Sequence, residues 1–211
     1  MDLPLAQRNA QLVIAREYGY AGWRDLTAEV SKRLGHGRRV IHDNDVERLK
    51  QLLAEYPALL SWQGDDDDGG LLGIATGAYG DSFDPDREQV FTRAACAELL
   101  IDAGAVVTPS VCQGIIESRA RGLLQLFQRK GLLPRTLKFL GALGDLDAVR
   151  MALDENRNDL TTVNEAFVCA CRFKHDAVAS VLLERSIALD PELGTHVDGS
   201  LGRLAFIKYF I

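Results

Sequence analysis

Residues 94–109 constrain the fold of this chain more than any other part of the sequence. The first ten residues, 94–103, are rich in alanine and leucine, which favour a helix that packs closely on its neighbours. Gly104 stands where a helix C-terminus needs a residue with positive φ. Thr108 can cap a following helix, and Pro109 suits its first turn, where no N–H donor is needed. The segment therefore predicts a helix end, a short link and the start of a second helix.

The same pattern resembles the ankyrin repeat. The pair Leu99–Leu100 with the ending Gly104-Ala105 resembles the second helix of that family, and Thr108-Pro109 resembles the opening of its next repeat. After residue 100, successive leucine-rich helix ends are 26 to 30 residues apart, whereas the family repeats about every 33 residues. The resemblance therefore implies an all-α, ankyrin-like helical-repeat solenoid with shortened fingers.

Residues 1–34 match no repeat and are similar to a helical leader found ahead of bacterial ankyrin arrays. A first helix over 4–18 places Val13, Ile14 and Tyr18 on one apolar face. We interpret the leader as a cap that covers the first repeat, because a solenoid end otherwise exposes apolar surface; a docking helix for a partner is the alternative. The repeats are then placed at 35–63, 64–107, 108–133, 134–160 and 161–196, with a partial repeat at 197–211.

Two exposed departures from the repeat pattern are candidate contact sites. Four adjacent aspartates follow Trp62, in the link that forms a projecting finger in the ankyrin family. This acidic run is interpreted as a solvated turn, as a contact for a basic partner or as a metal site, although its spacing is not that of a calcium loop. An insertion of about ten residues relative to the family lies around Phe83. The predicted partner-binding residues are Trp62, Asp65, Asp66, Asp67, Asp68 and Phe83.

Composition excludes several classes of protein. The formal net charge of -6 argues against nucleic acid as the main partner. No apolar run reaches the roughly 20 residues of a membrane span, and the first residues do not resemble a signal peptide. The four cysteines follow neither a disulfide framework nor zinc spacing, which favours free thiols in a reducing cytoplasm. We therefore expect a cytoplasmic protein with no membrane or nucleic-acid partner.

No motif for catalysis is evident. The sequence contains no glycine-rich phosphate loop and no Gly-x-Ser-x-Gly elbow. Its four histidines are scattered, so a Cys–His nucleophile pair would arise only by chance. Cys169 and Cys171 lie on different sides of a helix, which favours core packing. We expect no catalytic residue, no metal and no cofactor.

The leading expectation for function is a non-catalytic scaffold or adaptor that binds another protein of unknown identity. The alternatives are a regulatory or targeting domain of a longer, possibly enzymatic, chain, and a free-standing enzyme on a helical-repeat frame. Residues 201–211 are strongly apolar on nearly every side of a helix. We expect this segment to be covered by a second copy, by a partner or by further chain, because soluble monomers rarely expose such a patch.

Overall fold

The computed structural model of the protein describes residues 5–63, 69–77, 93–155 and 158–191. Every regular element in these ranges is helical, which confirms the all-α prediction for this part of the chain. A 3-10 helix, Pro57–Ser61, follows α3. The α-helices are α1 Leu5–Glu17, α2 Trp23–His42, α3 Val46–Glu55, α4 Gly70–Thr76, α5 Ala94–Asp102, α6 Pro109–Glu117, α7 Arg121–Arg129, α8 Leu137–Leu143, α9 Leu146–Glu155, α10 Leu160–Arg172 and α11 Asp176–Leu189.

Four helix pairs, α2–α3, α6–α7, α8–α9 and α10–α11, are joined by the same tight turn. A residue with positive φ follows the first helix, and its N–H donates to the carbonyl three positions earlier. The N–H of the next residue donates to the carbonyl five positions earlier, which completes a Schellman motif and satisfies carbonyls that the helix end leaves free. The positive-φ residues are Asn44, Arg119, Gly144 and Lys174.

The link between α5 and α6 forms as its sequence predicts. Gly104 has a φ of 95° and ends the turn after α5. The Thr108 hydroxyl accepts a hydrogen bond of 3.3 Å from the N–H of Val111, and Pro109 is the first residue of α6. Side-chain capping and the missing N–H of proline together explain why α6 begins at this point.

The helix pairs pack against one another in chain order, in two blocks. In the N-terminal block, the first helices α2, α4 and α6 pack in succession, and so do the second helices α3, α5 and α7. In the C-terminal block, α8 packs on α10 and α9 packs on α11. Contact of α6 with α8, and of α7 with α9, is only marginal. Each block has its own core, and Phe139 and Phe173 from the C-terminal block also pack into the core of the N-terminal block.

The start of the chain differs from its prediction in two respects. The boundary expected after Leu34 falls within α2, which runs unbroken for 20 residues. Gly37 lies within this helix, where a Cβ atom would be 3.2 Å from the Leu71 side chain, so glycine permits close packing of α2 on α4. The face predicted to be buried on α1 is also wrong: Tyr18 is 71% exposed, whereas Ala15 is fully buried.

No helix in the described ranges has the combination of length and apolar character that crossing a bilayer requires.

Candidate functional site

Of the predicted contact residues, only Trp62 lies within the described part of the chain. Its side chain is half-buried against the core of the N-terminal block, rather than exposed as expected. The guanidinium carbon of Arg38 lies 5.8 Å from the centroid of the Trp62 ring, within the range of a cation–π contact. Asp65, Asp66, Asp67, Asp68 and Phe83 lie outside the described residues.

The described residues that flank the acidic run are in contact with each other. The N–H of Gly70 donates a hydrogen bond of 3.0 Å to the carbonyl of Gln63. Gly70 has a φ of 56°, and a Cβ atom there would lie 1.7 Å from the carbonyl oxygen of Trp62. Only glycine fits this approach without moving the backbone. The described residues on either side of residues 64–68 are therefore in direct contact.

A groove opens where the two blocks meet, and we call it the junction groove. It has a volume of about 530 Å3 and lies between the end of α7 with the 130–136 linker on one side and α8 with α9 on the other. It exists because α7 and α9 do not close against each other as other consecutive second helices do. Its apolar lining consists of Leu133, Pro134, Phe139, Leu140, Leu143, Ala148, Met151 and Ala152.

Met151 is a large, exposed apolar side chain in the junction groove. It is 60% exposed, although it lies on a helix whose Val149 is fully buried. Arg135, Asp145 and Glu155 add charges to the lining. An apolar floor with a few charged groups is the usual composition of a recognition site, and methionine adapts its shape to different ligands.

Polar contacts tie the two blocks together beside the groove. Lys138 on α8 donates a hydrogen bond of 2.6 Å to the side-chain oxygen of Gln113 on α6. Arg121 at the start of α7 donates to the carbonyl of Phe173 at the end of α10. These contacts and the shared aromatic packing link the two blocks across the junction.

His175 lies where the turn between α10 and α11 contacts the turn between α8 and α9. Its Nε2 is 3.0 Å from the carbonyl oxygen of Ala142, so Nε2 carries the proton and donates it. Partial burial lowers the pKa of His175, and the charge of Arg121 lowers it further, while the bond to Ala142 and the charge of Asp176 oppose this effect. The ring is therefore held in its neutral form as a structural contact.

The cysteines show no sign of activation. Burial raises the pKa of Cys96, Cys169 and Cys171 to about 11, and it also raises the pKa of Cys112. A reactive thiol needs the opposite shift. Within the ranges that the structure covers, no three His, Cys, Asp or Glu side chains are grouped so that they could hold a metal ion.

Comparisons with protein-family models, with curated proteins and with solved structures find no significant match to this chain.

The junction groove was missed in the sequence because the repeats were read as one continuous stack. The signal that could have revealed it is the linker 130–136, in which Gly131 and Pro134 interrupt the helices.

Proposed function

We propose that this protein is a non-catalytic, protein-binding scaffold built as an ankyrin-like helical-repeat solenoid. The order in which the helix pairs pack, the turn repeated in four of them and the ankyrin-like segment 94–109 support this proposal. Solenoids of this kind present long surfaces on which side chains can vary while the backbone repeats.

The observation that carries the proposal is the junction groove. Its volume of about 530 Å3 is within the range of sites that hold small molecules or the side chains of a docked peptide. Apolar area that a ligand covers contributes about 25 cal/mol per Å2, so the exposed part of Met151 and the neighbouring leucines can anchor an apolar partner segment. The charged groups on the lining would then set the direction in which the partner segment binds.

A peptide library displayed on phage tests this assignment. Peptides selected on the parent protein are synthesised, and their affinities are measured by isothermal titration calorimetry. Met151→Ser should weaken selected groove binders at least tenfold, because it removes the exposed apolar anchor. Val106→Ser is the matched control, since Val106 is 55% exposed and does not line the groove. If no selected peptide is weakened more by Met151→Ser than by Val106→Ser, or if the selection yields no peptide binder, the proposal is contradicted.

A further inference from the structure

A second cavity lies at the other end of the stack, between α2 and α3, and we call it the α2–α3 cavity. It has a volume of about 320 Å3. Its position on the first helix pair separates it from the junction groove, which is built from α7, α8 and α9. The lining residues are Glu29, Lys32, Arg33, His36, Arg48, Gln51, Leu52, Glu55 and Tyr56.

Arg33 is fixed in this cavity by three contacts. Its Nε donates a hydrogen bond of 3.0 Å to Glu29, and one of its terminal nitrogens donates one of 3.3 Å to the hydroxyl of Tyr20. Its guanidinium carbon lies 4.2 Å from the centroid of the Tyr56 ring. The hydrogen bonds occupy two of the five N–H donors of the side chain. The guanidinium is therefore pre-organised and keeps three donors.

Other donors line the same cavity without a partner. Among the described residues, the side chains of His36, Arg48 and Gln51 make no hydrogen bond or ion pair. Arg48 projects from α3, whereas Arg33 and His36 lie on α2. Donors from two helices thus border one space.

The charges on the lining leave a small positive surplus. Lys32, Arg33 and Arg48 are cationic, and Glu29 and Glu55 are anionic, so the side chains sum to one positive charge with His36 neutral. The chain as a whole has a formal net charge of -6. The cavity is therefore a locally basic site on an acidic protein, and one added negative charge would balance it.

We propose that the α2–α3 cavity binds a side-chain carboxylate of an acidic partner peptide. Arg33 and Arg48 supply the charge-assisted hydrogen bonds, and His36 and Gln51 supply further donors. Guanidinium groups match the planar geometry of a carboxylate. A single carboxylate balances the surplus charge, whereas a phosphate dianion would leave the lining with a net negative charge. The site is independent of the junction groove and adds a second point of recognition.

The test uses two peptides that differ only in charge, N-acetyl-Gly-Glu-Gly-amide and N-acetyl-Gly-Gln-Gly-amide. Each is titrated at constant ionic strength while the arginine Nε–H signals of the protein are followed by NMR. The glutamate peptide should shift the Arg33 signal and reach saturation, and the glutamine peptide should bind at least tenfold more weakly. Equal shifts for the two peptides, or no shift for either, would overturn the proposal.

Two variants test whether peptide binding depends on this cavity or on the general charge of the surface. Arg48→Gln should weaken the glutamate peptide about tenfold, the cost of one lost charge-assisted hydrogen bond. Arg39→Gln is the control, because Arg39 is an exposed arginine of α2 outside the cavity, and it should leave the affinity unchanged. Equal weakening by both variants would overturn the proposal. Tighter binding of inorganic phosphate than of acetate would overturn the choice of a carboxylate.

Discussion

Gly144 lies close to the ring of His175 in the neighbouring turn. Gly144 has a φ of 73°, and a Cβ atom there would lie 2.4 Å from Nδ1 of His175. Gly131 has a φ of 67° but open space around it. We expect Gly144→Ala to lower the free energy of unfolding by about 2–5 kcal/mol, from backbone strain and overpacking. Gly131→Ala should cost only about 1–2 kcal/mol, from strain alone.

Urea denaturation of both variants checks this prediction, provided that the slope of the unfolding free energy against urea concentration is the same in both. Equal losses in the two variants would show that the turn relaxes away from His175.

The lowered pKa of His175 makes stability depend on pH. Between the lowered value and the usual value of about 6.5, the unfolded chain binds more protons than the folded chain. The free energy of unfolding should therefore fall as the pH is lowered from about 7.5 to about 5.5. His175→Gln retains a hydrogen-bond donor but cannot be protonated, so it should show a shallower slope in urea denaturation. An unchanged slope in this variant would assign the pH dependence to other groups.

At the scale of the single helix, the two adjacent leucines of α5 differ in burial. Leu100 is fully buried, whereas Leu99 is only partly buried against the same core. The resemblance of this pair to the second helix of an ankyrin repeat predicts that both are buried between repeats. We expect Leu100→Ala to cost about 2–5 kcal/mol of unfolding free energy and Leu99→Ala distinctly less, as measured by urea denaturation. A larger loss for Leu99→Ala would mean that α5 is rotated relative to the structure.

Helix ends were the most predictable elements. Gly104, Thr108 and Pro109 act through their own backbone and hydroxyl chemistry, so their roles could be read without knowledge of the fold. These residues decide local geometry, and no distant contact is needed to interpret them.

Elements decided by distant contacts were not predictable in the same way. A boundary was expected after Leu34, yet α2 continues past it, and Gly37 packs against Leu71, which lies 34 positions later. The buried side of α1 likewise depends on how it meets α2, and the apolar pattern alone gave the wrong face. The junction groove and the α2–α3 cavity depend on side chains that only the folded chain brings together.

At the scale of the whole molecule, the presence of two cores predicts that the two blocks differ in their local stability against unfolding. Repeat proteins unfold in units set by nearest-neighbour contacts, and contact between the blocks is weaker than contact within them. Val163 is fully buried in the core of the C-terminal block, and Leu123 is fully buried in that of the N-terminal block. We expect Val163→Ala to accelerate amide hydrogen exchange mainly in residues 137–189.

Leu123→Ala is the reciprocal variant, and it should accelerate exchange mainly in residues 46–55 and 94–129. Mass spectrometry of peptide fragments reports both patterns. If each variant accelerates exchange equally in both blocks, the stack unfolds as one cooperative unit.

The continuity of α2 also limits how the protein can be shortened. A deletion of residues 1–34 would sever the helix near its midpoint and leave a stub of about two turns to pair with α3. Short isolated helices are marginal in water, so the first pair would lose much of its support. A trimmed version of this protein that retains α3 should therefore begin no later than Gly22, ahead of the whole helix.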